Sequence, residues 1–282
     1  MQHHEIATIA VLASAVLHAT WNAVVRGGTS RLHSLALVDA SALLACCLCL
    51  PFVTVPSGTV LGFMLVSVVL NTGYRLFLVK AYERGDFGKV YPVVRGTPPI
   101  LVAASSVVFF QESLSPQVYF GIALISVGIL SLVGSDVLSR ERLTPLIMAA
   151  AAGVFIAAYT VVDAKGVRIA GDAMQYIVYL TILQSIPIPV LATIRDRRGA
   201  VAFVKKSWRL GCFGGLSYVV SYGLILFAFT LDAVAKVSAL RETSVLFAAV
   251  IAAVFLGEKF GPQRVLSSVV IVAGILAVKM NR

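Results

Sequence analysis

The chain has 282 residues, 59% of them hydrophobic and only 13% charged, with a formal net charge of +10 and a mean hydropathy of +0.93. That apolar content exceeds what one soluble core of this size hides, and no basic-plus-aromatic module is present to make the positive charge a nucleic-acid surface. Lys and Arg fall mostly between apolar runs, as in the loops of membrane proteins.

Those runs are roughly 18–24 residues long, and about 20 residues cross the ~30 Å of bilayer hydrocarbon. They are apolar on every face, not striped as a soluble helix would be. They are also too long, and too little alternating, for transmembrane strands. The predicted fold is therefore an all-α integral membrane protein with about ten transmembrane helices. The first, 6–25, has no basic region ahead of it and reads as a span, not a cleaved signal. Its Ser14, His18 and Asn22 recur every four residues as one polar stripe. The second, 34–54, holds Asp39, a proton-coupling candidate, and Cys46, Cys47 and Cys49. With Cys212 in a later span, these cysteines lack a second ligand group for zinc and read as small buried hydrophobes. No metal or cofactor is expected.

The third helix, 60–80, carries Asn71, Tyr74 and Arg75. The fourth, 87–110, carries Lys89 and Arg95 along with Pro92, Gly96, Pro98 and Pro99. A tight hairpin near Gly85 puts Arg75 and Arg95 at similar depth, roughly 15 Å in. Glu112 and Pro116 precede the fifth helix, 117–134, and residues 136–142 form the connection to the sixth, 144–163, where Tyr159 and Asp163 repeat the four-residue spacing. Asp163 is the second proton-coupling candidate. The seventh, 173–194, offers little besides Pro187 and Pro189. The longest polar loop (Arg195, Arg197, Arg198, Lys205, Lys206, Arg209) leads to the eighth, 209–231, with Ser217, Tyr218, Ser221 and Tyr222. Lys236 and Arg241 lie in the ninth, 233–256, and the tenth is 262–279.

The second half echoes the first. Displaced by 146 residues, Asp86, Arg95, Thr97, Glu112, Pro116 and Gln117 meet Asp232, Arg241, Thr243, Glu258, Pro262 and Gln263. Lys89 meets Lys236 one residue further on, and His18 and Asn22 meet Tyr159 and Asp163 at a displacement of 141. Two repeats follow, 1–135 and 143–282. Each has about five spans, an odd number, so the second enters the membrane from the opposite side. Inverted repeats of this kind build alternating-access carriers with a site near the midplane.

Glu112-Ser113-Leu114-Ser115-Pro116-Gln117 with Gly121, Gly257 to Gln263 in the second half, and AAYTVVDAKGVR at 157–168 carry a resemblance over essentially the whole chain. It resembles the ten-helix, EamA-type branch of the drug/metabolite transporter superfamily. The resemblance implies that fold and a transport role, and leaves the substrate open. The stretch HATWNAVVRGG at 18–28 is similar to a bacterial subgroup linked with phosphonate utilisation.

An ionisable residue inside a span costs about 2.5–3.5 kcal/mol on insertion scales, so three mid-depth arginines facing lipid would cost roughly 8–10 kcal/mol. Arg95, Arg241 and Arg75 must therefore face water, a carboxylate or a ligand. A guanidinium keeps its charge and its fork fits carboxylate or phosphate oxygens. The expected site is a wet cavity in which Arg95 and Arg241 hold an anionic group. Arg75, Lys89 and Lys236 support them, and His18, Asn22, Tyr74, Tyr159, Tyr218 and Tyr222 shape the walls, with the first, third, fourth, sixth, eighth and ninth helices lining it. The competing reading pairs each arginine within the bundle, Arg241 with adjacent Glu242 for example, anchors the lysines at the interface and gives the tyrosines interhelical hydrogen bonds. Glu112 and Glu258 lie just before helix starts and read as caps.

No nucleotide loop GxxxxGK, HExxH or GxSxG is present, so ATP-driven transport and hydrolysis lack support in this chain. The sequence points to a non-enzymatic inner-membrane carrier of a small organic anion or zwitterion, such as a phosphonate, carboxylate or amino-acid-like metabolite, with the bilayer and a proton or counter-substrate as its other partners. The alternative is an exporter of hydrophobic or cationic compounds whose arginines are structural. About 15 Lys or Arg fall in loops after odd-numbered helices and about five on the other side, which places both termini outside the cytoplasm.

Overall fold

The structure, a computed structural model, describes residues 2–85, 87–133, 140–256 and 261–280. Asp86, Glu258, Lys259 and most of the predicted connection lie outside the described residues. Within them the secondary structure is helical throughout: α1 (Gln2–Gly27), α2 (Arg31–Cys49), α3 (Gly58–Arg84), α4 (Phe87–Phe110), α5 (Pro116–Leu130), α6 (Arg140–Ala170), α7 (Ala173–Gln184), α8 (Pro187–Arg195), α9 (Arg197–Leu231), α10 (Val234–Arg241), α11 (Thr243–Leu256) and α12 (Pro262–Met280), with single 3-10 turns at Leu50–Phe52 and Ser131–Val133. Nine stretches among the described residues are long and apolar enough to cross a membrane. The broken pair α10–α11 occupies the place of the ninth predicted span.

Starts follow local chemistry. Ser30, Ser57 and Ser115 accept the first free amides of α2, α3 and α5 through their hydroxyls, and Asp172 and Asp196 do so for α7 and α9. A Ser or Asp cap of this kind satisfies donors that the helix itself leaves open.

Four predicted features are corrected. The seventh span is two helices, because Pro187 has no amide proton to donate and its ring crowds the preceding turn. The ninth span breaks at Glu242, where the Thr243 hydroxyl takes the Leu240 carbonyl at 2.8 Å and the Glu242 amide turns back to Ala239 at 3.1 Å. Side-chain competition for backbone acceptors does here what no proline does. The longest polar loop is helix instead: only Asp196 separates α8 from α9, and Arg197 to Arg209 form the first turns of α9. The connection is also shorter than predicted, since Arg140 to Arg142 already belong to α6.

Three crossings position the site. In α1–α9, Ser14 donates to the Ser221 carbonyl at 2.7 Å and Ser221 donates back to the Ser14 carbonyl at 2.9 Å. In α3–α6, Gly73 abuts the Phe155 ring, whose Cε1 is 2.6 Å from where a Cβ would stand. In α5–α12, a Cβ on Gly121 would sit 2.8 Å from the Gly274 carbonyl oxygen, and one on Gly274 only 2.7 Å from that of Gly121. Only hydrogen fits there, the usual basis of close helix approach in membranes.

The α5–α12 contacts also define direction. Gly121 meets Gly274 and Val278, while Gly128, further along, meets Ile271 and Ser267. The helices are antiparallel, yet they begin at equivalent prolines. The contact Gly128–Ile271 becomes Gly274–Ile125 when the two repeats are exchanged, and both are present. The two copies therefore run through the bundle in opposite directions. Outward-facing Val69, Val108, Phe109, Ile194 and Leu266 stay exposed, as lipid-facing side chains do.

Candidate functional site

Between the crossings lies a cavity of about 480 Å³. Its walls come from α1, α3, α4, α6, α9, α10 and α11, and α2 and α12 also contribute, a wider set than predicted. It runs from His18, Asn71 and Ser221 in the interior to Arg31, Tyr82, Leu132 and Gln263. These last residues lie at the ends of helices on the side where α1 finishes and α2 begins. A second hollow, about 1030 Å³, opens on the other side and is lined by His4, Glu112, Arg168, Asp172, Asp232 and Lys236 among others. The two share no lining residue.

Arg75, Arg95, Arg241, His18, Asn22, Tyr74, Tyr159, Tyr218 and Tyr222 all line the central cavity. Lys89 and Lys236 do not. Lys236 lines the opposite hollow, and Lys89 belongs to neither. The reason is the pitch: Lys236 is on the first turn of α10 and Arg241 on its last, so they face opposite sides of the membrane. Sequence reasoning missed Trp21, Tyr82 and Tyr91, and also Arg31 and Arg264, which stand in the first turns of α2 and α12.

The arginines differ in their partners. Arg75 Nη1 donates to Asp39 Oδ2 at 2.5 Å, and both are buried. Asp39 is thus held in an ion pair. Arg95 Nη1 lies 3.6 Å from Glu242 Oε1, Nη2 donates to Ser244 Oγ at 3.2 Å, and its Cζ is 5.9 Å from the Tyr91 ring centre. The partner expected for Arg241 is therefore taken by Arg95. Glu242 Oε2 is buried without a hydrogen-bond partner among the described residues.

Arg241 is only 7% exposed. Its Cζ stands 5.7 Å from the Tyr222 ring centre, close enough for a cation–π contact. Among the described residues no carboxylate lies within ion-pair distance of it. No Asp or Glu is among the described residues lining the cavity. A buried guanidinium without a counter-charge is costly, and here it borders open volume.

Asp163 lies behind that wall, fully buried. The Tyr176 hydroxyl donates to Oδ1 at 3.0 Å, and the Tyr222 hydroxyl donates to Oδ2. Tyr222 thus touches Arg241 with its ring and Asp163 with its hydroxyl. Tyr218 donates to Gln184 Oε1 at 3.2 Å, and Gln184 donates to Ser67 Oγ at 3.2 Å. His18 Nδ1 accepts from Trp21 Nε1 at 3.3 Å. Tyr74 and Tyr159 face each other with ring centres 6.1 Å apart.

On the far side Glu112 is a cap, but of a helix in the other repeat. Both its carboxylate oxygens accept from the Val234 amide at the start of α10, each at 3.0 Å, while Ser115 caps α5. Glu112 Oε1 also lies 3.2 Å from Arg168, which donates to the Phe229 and Asp232 carbonyls at 2.8 and 2.9 Å. This knot joins the repeats on the side away from the cavity.

An all-helical multi-pass bundle with oppositely running repeats and a charged interior cavity is a membrane-transporter architecture. The EamA-like transporter family matches residues 5–134 and again residues 143–280, and the chain belongs to that family. It superposes on the crystal structure of another protein with a TM-score of 0.79 at 15% sequence identity, covering 97% of this chain and 96% of that one. At that identity the likeness concerns the fold. No curated protein sequence matches it significantly.

Proposed function

We propose that this chain carries a small organic anion or zwitterion, of the carboxylate, phosphonate or amino-acid-like kind, across the cytoplasmic membrane by alternating access. The observation that carries the reading is Arg241: buried, bordering the cavity and without a carboxylate partner among the described residues. An anionic substrate group is the missing counter-charge, and a guanidinium binds carboxylate or phosphoryl oxygens through a matched fork. The break between α10 and α11 beside Arg241 supports it, since discontinuous helices mark carrier sites. Residues 1–135 and 143–282 are the halves that rock about the α5–α12 contact. Asp163, reached through Tyr222, is the coupling carboxylate in preference to the ion-paired Asp39.

A second reading, export of hydrophobic or cationic compounds, is favoured by the aromatic walls and by Arg75 and Arg95 both being paired. A ligand-dependent melting scan of the purified protein separates the two. The panel contains carboxylates, phosphonates, phosphate, amino acids and lipophilic cations. A ligand at 100 times its Kd stabilises by about 2.7 kcal/mol. The expected result is stabilisation by anions or zwitterions, lost in Arg241→Gln. Stabilisation by lipophilic cations alone, unchanged in Arg241→Gln, establishes the second reading.

A further inference from the structure

α9 is too long for the membrane it crosses. Its 35 residues span about 52 Å at 1.5 Å per residue, against ~30 Å of hydrocarbon and about 40–45 Å with the headgroups. Its far end reaches Asp232, which pairs with His4 at 3.1 Å on the side of the N-terminus. The surplus therefore lies at the beginning, Arg197 to Arg209, at headgroup depth.

That surplus has three faces. At 100° per residue, Val201, Val204 and Trp208 fall within roughly 60° of arc, and they are 50%, 45% and 53% exposed. Arg198, Lys205, Arg209 and Lys206 occupy the next roughly 100°, and all four are exposed. The third face turns inward, where Phe203 stacks on His33 with ring centres 5.9 Å apart. None of the four cations has a carboxylate partner among the described residues. The Arg209 guanidinium rests 5.4 Å from the Trp208 ring centre, joining the apolar strip to the cationic one.

A solvated charged face would not need an apolar strip beside it, and a purely lipid-facing helix would not carry four unpaired cations. An acyl chain against Val201, Val204 and Trp208, with its phosphate against Arg198, Lys205, Lys206 and Arg209, satisfies both strips at once. We propose that the first turns of α9 form a docking surface for the headgroups of anionic phospholipids. The inference stands independently of the transported substrate.

The chain has two tryptophans, so Trp21→Phe leaves Trp208 as the sole reporter at the strip. The full chain with this change is titrated in mixed micelles with phosphatidylglycerol or phosphatidylcholine carrying brominated acyl chains. Each cation near an anionic surface favours it by roughly fivefold. Half-quenching of Trp208 is therefore expected at roughly tenfold less phosphatidylglycerol than phosphatidylcholine, even if only part of the cluster engages. High salt should shrink that preference, and Arg198→Gln, Lys205→Gln, Lys206→Gln and Arg209→Gln together should abolish it while leaving phosphatidylcholine quenching unchanged. Equal quenching by the two lipids overturns the proposal, as does a preference that survives in the fourfold variant. Relief of quenching by millimolar inorganic phosphate also overturns it and assigns the strip to a soluble anion.

Discussion

Arg75 and Arg95 look alike in the sequence and both line the central cavity, but their chemistry is divided by what faces them. Arg75 shares a buried ion pair with Asp39. Removing one member of such a pair leaves the other charge stranded, at a cost of about 3–5 kcal/mol, whereas replacing both with apolar residues of similar volume is often neutral. Asp39→Asn should therefore lower the melting temperature sharply, and Asp39→Leu with Arg75→Met should recover most of the loss. A double variant as unstable as the single one would show that the pair does more than neutralise itself. Asp163 is different, because both its oxygens are held by tyrosine hydroxyls. Asp163→Asn keeps the shape and removes the charge. In liposomes it should preserve exchange of labelled for unlabelled substrate yet lose accumulation driven by an imposed proton gradient. Accumulation at the parental level would remove Asp163 from the coupling scheme. The sequence made Arg95 and Arg241 equals, since the repeat superimposes them. It could not show that Glu242, adjacent to Arg241, reaches across to Arg95, because that choice is made by the turn at the α10–α11 break.

At the scale of helices, long apolar runs declare themselves by length alone, and the repeat by its matched polar residues. Breaks were harder to read. Pro187 ends a helix, while Pro92, Pro98 and Pro99 sit inside continuous α4; one residue type gives opposite outcomes because neighbouring helices decide whether a freed carbonyl is tolerated. The basic stretch before the eighth span reads as a loop because its charge density resembles that of a loop, although Arg, Lys and Ala are good helix formers. The Gly121–Gly274 contact offers the cleanest test at this scale. Gly274→Val inserts atoms where a carbonyl stands 2.7 Å from the Cβ position, and overpacking of this kind costs about 1–3 kcal/mol. The loss should appear as a lower melting temperature. Gly58→Val, with nothing within 4 Å of its Cβ position, should change stability far less.

For the whole molecule, the place of the surplus of α9 gives a prediction of orientation. Arg195, Arg197, Arg198, Lys205, Lys206 and Arg209 sit on the side to which the central cavity opens, and the positive-inside bias predicts that this side is cytoplasmic. With the four native cysteines replaced, Ala200→Cys should react with an impermeant maleimide only in inverted vesicles, and Val55→Cys, at the opposite face, only in intact cells. The reverse pattern would turn the molecule over and make the cavity face outward.

The repeat has an energetic consequence as well. Two perfectly identical inverted halves would make the two end states equivalent by a two-fold rotation in the membrane plane and equal in free energy, each populated half the time. Any preference must come from residues that lack a counterpart. The Arg75–Asp39 pair is such a place: the 146-residue displacement that matches Arg95 with Arg241 brings Arg75 to Ser221, and the 141-residue displacement of the opening helices brings Asp39 to Leu180. In the alternating-access reading proposed above, the resting direction is written in the mismatches between the halves, and restoring symmetry at those positions should flatten the bias.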